Sequence, residues 1–136
     1  MRKIVFIILI IASLLMISCS NSDQNVDENE MEGKVIMISP EEAKDNLDED
    51  SEIILLDVRT LSEYESGHIE DAVLLPLDQV NEKASEVIPD LEKIYYVYCR
   101  SGNRSATAAQ LLVDMGYENI YDLGGIIDWP YDTVKE

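Results

Sequence analysis

The segment Cys99-Arg100-Ser101-Gly102-Asn103-Arg104-Ser105 concentrates the residues best suited to chemistry in this chain. A cysteine attacks as its thiolate, so its neighbours decide whether it reacts. Cys99 follows the β-branched and aromatic run Ile94-Tyr95-Tyr96-Val97-Tyr98 and precedes a stretch of helical periodicity. In an open α/β sheet, the carboxyl end of a strand is where ligands bind. A cysteine there faces successive backbone N–H groups and the positive end of a helix dipole, both of which favour a thiolate and a bound anion. Arg100 and Arg104 add to that effect, so a depressed pKa is expected for Cys99. Gly102 lets the backbone curl close to a ligand, and Arg104 can point inward from the first helical turn. The competing reading, a free cysteine serving as a small buried hydrophobe, sits poorly with Arg, Ser, Gly, Asn and Arg as its next five neighbours.

The elements that must position this loop follow an alternating pattern. Val35-Ile36-Met37-Ile38 reads as an opening strand; Ser39 and Pro40 read as the N-cap and first position of a helix running to about Leu47. Ile53 to Val58, broken only by Asp57, is apolar enough for burial on both faces. Thr60 can cap a short helix over Leu61 to Glu65 that Gly67 closes. Ala72 to Leu75 is the next strand, ended by Pro76, and Leu77 to Val87 resumes in helix. Beyond the Cys99 loop, Ala108, Leu111, Leu112 and Met115 form one buried helical stripe that Gly116 stops. Asn119 to Leu123 is a last short strand, and Gly124-Gly125 turns the chain towards Trp129, which caps the core. Strands alternating with helices predict an α/β domain of three layers, α/β/α, with a mainly parallel sheet of about five strands.

The 136 residues leave room for one such domain. The formal charge of −18 repels phosphate backbones, and there is no basic stripe, so no nucleic-acid partner is expected. Tyr95, Tyr96 and Tyr98 read as strand packing rather than a base-stacking platform. Asp48-Glu49-Asp50-Ser51-Glu52 lacks the glycine a calcium loop needs and reads as a solvated turn. With two cysteines and one histidine, a metal site has almost no soft ligands, and neither metal nor organic cofactor is expected.

Residues 1–18 begin with the basic Met1-Arg2-Lys3 and continue as the apolar and small run Ile4 to Ser18, a signal-peptide pattern too short for the roughly 20 residues of a spanning helix. Leu15-Met16-Ile17-Ser18-Cys19 resembles a bacterial lipoprotein box, with Met16 where that family usually has Leu. The resemblance implies a diacylglyceryl group on Cys19, whose two chains hold a domain at a membrane on its extracytoplasmic side. Residues 19–33 are then an acidic, disordered tether, and residues 34–136 the folded domain. An extracytoplasmic compartment can oxidise a thiol, but Cys99 has no second cysteine close in sequence to trap it.

CRSGNRS resembles the active-site loop of the rhodanese superfamily. LLDVRTLSEYESGHIEDAVLLPL, residues 55–77, resembles the family's upstream signature of a DVR strand end, an EY helix and a GHI turn. AAQLLVDMGYENIYDLGGIIDW, residues 108–129, resembles its downstream half. The resemblance implies that Cys99 accepts sulfur and that Arg100, Ser101, Gly102, Asn103, Arg104 and Ser105 cradle the persulfide and the donor's oxygens. It implies scaffold roles for Asp57, Arg59 and His68, so His68 is not read as a general base. Asp71 stands where many members have Gly, which bears on the geometry of that turn. In the related phosphatases the arginine lies six residues after the cysteine; here it lies five after, which suits a single sulfur atom better than a tetrahedral phosphate.

What the resemblance implies is a sulfurtransferase that takes sulfur from a small sulfur-containing anion or persulfide donor, holds it on Cys99, and passes it to a thiol or cyanide. A non-catalytic sulfur carrier or binding module loaded by a partner is the alternative. A phosphatase or arsenate reductase is the more distant one.

Overall fold

The computed structural model describes residues 33–135; the expected signal sequence, Cys19 and the expected tether up to residue 32 lie outside the described residues. Five parallel strands form one sheet: β1 (Ile36–Met37), β2 (Ile54–Asp57), β3 (Val73–Leu74), β4 (Ile94–Cys99) and β5 (Asn119–Gly125). Their order is β1-β5-β4-β2-β3, which puts β4 at the centre and its carboxyl end, Cys99, in the middle of one rim. Four helices connect them: α1 (Pro40–Glu49), α2 (Leu61–Ser66), α3 (Val80–Val87) and α4 (Asn103–Asp114).

Side-chain alternation along β4 sorts the core into two layers. Tyr95, Val97 and Cys99 point to the face covered by α3 and α4, where they meet Val80, Ala84, Ala108 and Leu112. Tyr96 and Tyr98 point to the other face, with Ala43 of α1, Ile69, Leu123 and Trp129. A strand buried on both faces is what the apolar run 94–98 requires. Parity therefore dictates that the Cys99 side chain lies beneath α4, while Tyr98 faces the DVR segment.

Local signals set the helix ends. Ser39 accepts the N–H of Glu42 at 3.2 Å, and Pro40 occupies the first turn of α1. Thr60 and Glu63 form a reciprocal capping box at the start of α2, with Thr60 N–H donating to Glu63 Oε2 at 3.0 Å.

Several boundaries differ from the sequence expectation; the strands expected at 53–58 and 72–75 are trimmed at both ends, to Ile54–Asp57 and Val73–Leu74. The opening strand is two residues rather than four, because at the sheet edge it pairs with β5 alone and leaves Ile36 and Met37 exposed. α1 runs to Glu49, beyond Leu47. The helix expected from Leu77 starts as a 3₁₀ turn, Leu77–Gln79, with α3 proper from Val80. β5 continues through Gly125 instead of stopping at Leu123. Trp129 closes the α1-side core as expected.

Candidate active site

Cys99 is the last residue of β4 and is 1% exposed. Its carbon atoms belong to the apolar layer under α4. Its sulfur meets the loop: the Gly102 N–H donates to Cys99 Sγ at 3.0 Å. Gly102 sits at φ 98, a left-handed conformation that turns the chain back over the sulfur and into α4, and that side chains rarely tolerate. Ser105 and Ser101, in the same loop, further favour the thiolate. Burial pushes the thiol up, but these neighbours outweigh it and hold Cys99 below its ordinary value.

Ser105 is fully buried, with its hydroxyl oxygen 3.0 Å from Gly102 O and 3.3 Å from Gly124 O. Its one proton serves a single acceptor at a time, so it can pass between loop carbonyls and a charged sulfur.

The floor of the loop comes from β5. In the β4–β5 ladder the register slips between Val97 and Tyr98, so that Tyr98 pairs with Gly124 and Cys99 with Gly125. The buried Asp122 accepts the Gly124 N–H at 2.9 Å and fixes this bulge. A Cβ on Gly125 would lie 2.6 Å from Arg100 O and 2.7 Å from Ser101 Cα. Only a bare backbone lets the Cys99 loop lie this close. The Ile127 N–H then donates to Arg100 O at 3.2 Å and ties the loop down from the other side.

Arg104 sits in the first turn of α4, but its guanidinium is turned to Glu63. Nη1 and Nη2 donate to Glu63 Oε2 and Oε1 at 2.7 and 2.8 Å, a two-point fork. Glu63 is held in turn by Thr60 N–H and Thr60 Oγ1. The Arg104 hydrogen bonds, together with those from Thr60, outweigh burial and hold the Glu63 carboxyl well below the usual range, at about 2. Arg104 therefore does not project freely into the loop as the sequence suggested. Arg100 is exposed and, among the described residues, makes no ion pair. Asn103 is exposed at the start of α4.

Asp57, Arg59 and His68 gather on the Tyr98 side of the sheet. Arg59 Nη2 donates to Asp57 Oδ2 at 2.6 Å and to Gly67 O at 2.8 Å, and both charged groups are buried. Burial works against the Arg59 charge, yet Asp57 more than offsets it and raises the guanidinium further. The Tyr98 hydroxyl donates to Asp57 Oδ2 at 2.8 Å and accepts the Ile69 N–H at 3.2 Å. Burial first, then Asp57, pushes the Tyr98 phenol up and keeps it a neutral donor. His68 stacks on Tyr64, ring centroids 3.7 Å apart, and its Nδ1 lies 2.9 Å from Tyr64 O. Its backbone pairs with Val134, so His68 locks the chain end to the GHI turn.

The sequence expectation named the 99–105 loop and the Asp57, Arg59 and His68 group; the structure places the loop at the end of β4 and that group around Tyr98. The expectation missed Glu63, whose Thr60-x-x-Glu63 spacing was legible as a capping box, and Gly124-Gly125, read as a simple turn. Asp122 had only the weak signal of an acid inside an apolar strand. A cleft of about 840 Å³ between α1 and residues 129–132 contains none of the loop residues. The reactive group is therefore not in that concavity. Among the described residues no three His, Cys, Asp or Glu side chains gather as metal ligands.

The family model described as Rhodanese-like domain matches residues 39–130. The chain belongs to this family. Among curated rhodanese-like relatives, it is 34% identical over 80 residues to thiosulfate sulfurtransferase PspE of Escherichia coli, covering 59% of this chain and 77% of that protein. It is 37% identical over 93 residues to a sulfurtransferase of Allochromatium vinosum, covering 68% of this chain and 85% of the other. The solved E. coli structure described as a rhodanese with anions superimposes with a TM-score of 0.58 at 32% identity, covering 62% of this chain and 99% of that one. The rhodanese fold is accordingly that of this chain, and the two curated relatives above are named as sulfurtransferases.

Proposed function

We propose that this domain is a sulfurtransferase that carries sulfur as a persulfide on Cys99. The observation behind this reading is the Gly102 N–H donating at 3.0 Å to a strand-end sulfur whose loop neighbours Ser101 and Ser105 further favour the thiolate. In the first step the Cys99 thiolate attacks the outer sulfur of a donor, of which thiosulfate is the simplest. The new S–S bond forms as the donor's S–S bond breaks, and sulfite departs with that electron pair. The persulfide keeps one negative charge, which the same loop stabilises. In the second step an acceptor thiolate or cyanide attacks the outer sulfur, and Cys99 leaves as the thiolate. This covalent route implies ping-pong kinetics.

The depth of Cys99 fits this division of labour. At 1% exposure the thiolate meets little but a slender donor atom. Once loaded, the outer sulfur stands about 2 Å farther along the S–S bond, towards the mouth of the loop. Intact-protein mass spectrometry after exposure to thiosulfate, beside a Cys99→Ser control, tests the reading. One added sulfur on the native protein alone supports it; none, or the same addition on both, rejects it. Steady turnover with free thiosulfate and cyanide separates an enzyme from a carrier.

We further propose that the chain is lipid-anchored through Cys19 on the extracytoplasmic side of a bacterial membrane, on the strength of the Leu15–Cys19 segment. In a host that processes lipoproteins, the native chain should partition with membranes and Cys19→Ser should not. Equal partitioning of both would end this proposal.

A further inference from the structure

The charge balance around the loop points to a donor class. Arg104 is the cation closest in sequence to the sulfur on the helix side, and it is electrostatically coupled to Cys99. Its charge is already spent on Glu63, through two hydrogen bonds of 2.7 and 2.8 Å. Glu63 is itself fixed by Thr60 at the start of α2, so the carboxylate is not free to swing away when a donor arrives. Arg59 is likewise committed to Asp57. That leaves Arg100 as the loop's one cation without an ion pair among the described residues, on a chain of formal charge −18. A dianion such as thiosulfate approaching Cys99 therefore meets a thiolate, a neutralised Arg104 and an acidic surface, with the exposed Arg100 as the loop's one unpaired cation among the described residues. The clamped Arg104 still offers its remaining N–H groups, which suffice to orient a neutral or singly charged donor.

We propose that Glu63 is a specificity-determining residue: by clamping Arg104 it biases the site away from dianionic donors and towards low-charge organic persulfides. The proposal rests on Cys99 being the sulfur acceptor. With a persulfide R–S–SH, the Cys99 thiolate attacks the terminal sulfur, forming a new S–S bond as the donor's own S–S bond breaks. R–S⁻ leaves with that electron pair, while the transferred sulfur keeps its proton until it ionises in the Cys99 loop. Glu63 touches no reacting atom and acts only through Arg104.

The test compares KM for sulfur loading from thiosulfate and from 2-hydroxyethyl persulfide, read by intact mass on the native protein and three variants. Glu63→Gln keeps an oxygen for Thr60 while removing the charge, and Glu63→Ala removes charge and clamp together. Both should lower the ratio of thiosulfate KM to persulfide KM on the order of fivefold, the effect of freeing one partly exposed ion pair. Glu63→Asp keeps the charge and should hold the ratio within about twofold of native on the same scale. A ratio unchanged or raised in Glu63→Gln and Glu63→Ala, or lowered as much in Glu63→Asp, overturns the proposal while leaving the persulfide reading intact. Failure of the native protein to load from either donor overturns both.

Discussion

The backbone N–H of Gly102 lies 3.0 Å from Cys99 Sγ, three residues back along a chain that has turned through a left-handed glycine to reach it. This single contact ties sequence to chemistry, because the donor is main chain and its direction is set by the fold rather than by a rotamer. With Ser101 and Ser105 it outweighs the burial that would otherwise neutralise the sulfur.

The rate of alkylation by iodoacetamide should therefore titrate with a midpoint below the ordinary thiol value of about 8.5. Ser105→Ala removes only the hydroxyl and should move that midpoint up, while leaving the N–H donors in place. The variant also loses the hydroxyl's contacts with Gly102 O and Gly124 O, for a stability cost of about 1 kcal/mol. An unchanged midpoint in Ser105→Ala would assign the whole effect to the backbone.

Glu63 gives a second titration, of stability rather than rate. Its folded value, about 2, lies below its ordinary 4.5. Stability from the Glu63–Arg104 pair is thus fully present above pH 4.5 and is lost as the pH falls towards 2. Since both side chains are about one-third exposed, the pair contributes no more than about 1 kcal/mol after solvent screening. Urea denaturation should show native and Glu63→Gln proteins separated near neutral pH and converging as the pH approaches 2. A constant separation across that range would mean that the carboxylate charge is not what stabilises.

Much of this was legible in the chain because the deciding signals are local. The run Ile94–Tyr98 must be a strand buried on both faces, and a thiol at its end must then meet the N-terminus of the following helix. Thr60 and Gly67 bound their helix as their types require. What the chain could not show is register. Nothing in Asn119–Gly125 reveals that a bulge after Asp122 slides Gly125 beneath Arg100, since the partner residues lie some 25 positions apart and the slip is fixed only by packing. Likewise Arg104 looked free because Glu63, 41 residues earlier, becomes its neighbour only once α2 and α4 meet at the same rim.

The buried cluster of Asp57, Arg59 and Tyr98 should be the least tolerant part of the fold. Asp57→Asn leaves the buried Arg59 guanidinium without its counter-charge and should cost about 3–5 kcal/mol. Tyr98→Phe strands the Ile69 N–H and removes one donor to Asp57, for about 1–3 kcal/mol. Chemical denaturation measures both; a cost below 1 kcal/mol for Asp57→Asn would show that water reaches Arg59.

Asp71 adopts φ 63, and it stands where the family often has Gly. The turn is kept all the same, with Ala72 N–H donating to Ile69 O at 3.1 Å. Asp tolerates this left-handed region better than most side chains, but not without cost. Asp71→Gly should raise stability by no more than about 1 kcal/mol, a gain of a few degrees in Tm, because the relieved strain is partly offset by the greater freedom of glycine in the unfolded chain. A lower Tm would mean that the carboxylate stabilises the turn by more than its backbone strain.

Gly124 and Gly125 are adjacent, yet their substitution should fail in different ways. Gly124 sits at φ 86 with open space where a Cβ would stand. Gly124→Ala is strained in conformation only, and should cost about 1–2 kcal/mol of stability while leaving the Cys99 alkylation midpoint near native. Gly125 has an ordinary φ of −108, so alanine is conformationally acceptable there. Its Cβ, however, would meet Arg100 O at 2.6 Å and Ser101 Cα at 2.7 Å, both backbone atoms of the reactive loop. Gly125→Ala must push that loop off β5, so the N–H groups lose their aim at the sulfur. Sulfur loading should fall on the order of tenfold or more, since small misplacements at a reacting centre cost that much, and the alkylation midpoint should rise towards that of a free thiol. Loss of stability in Gly125→Ala with native alkylation and native loading would place the strain elsewhere and separate β5 from the chemistry.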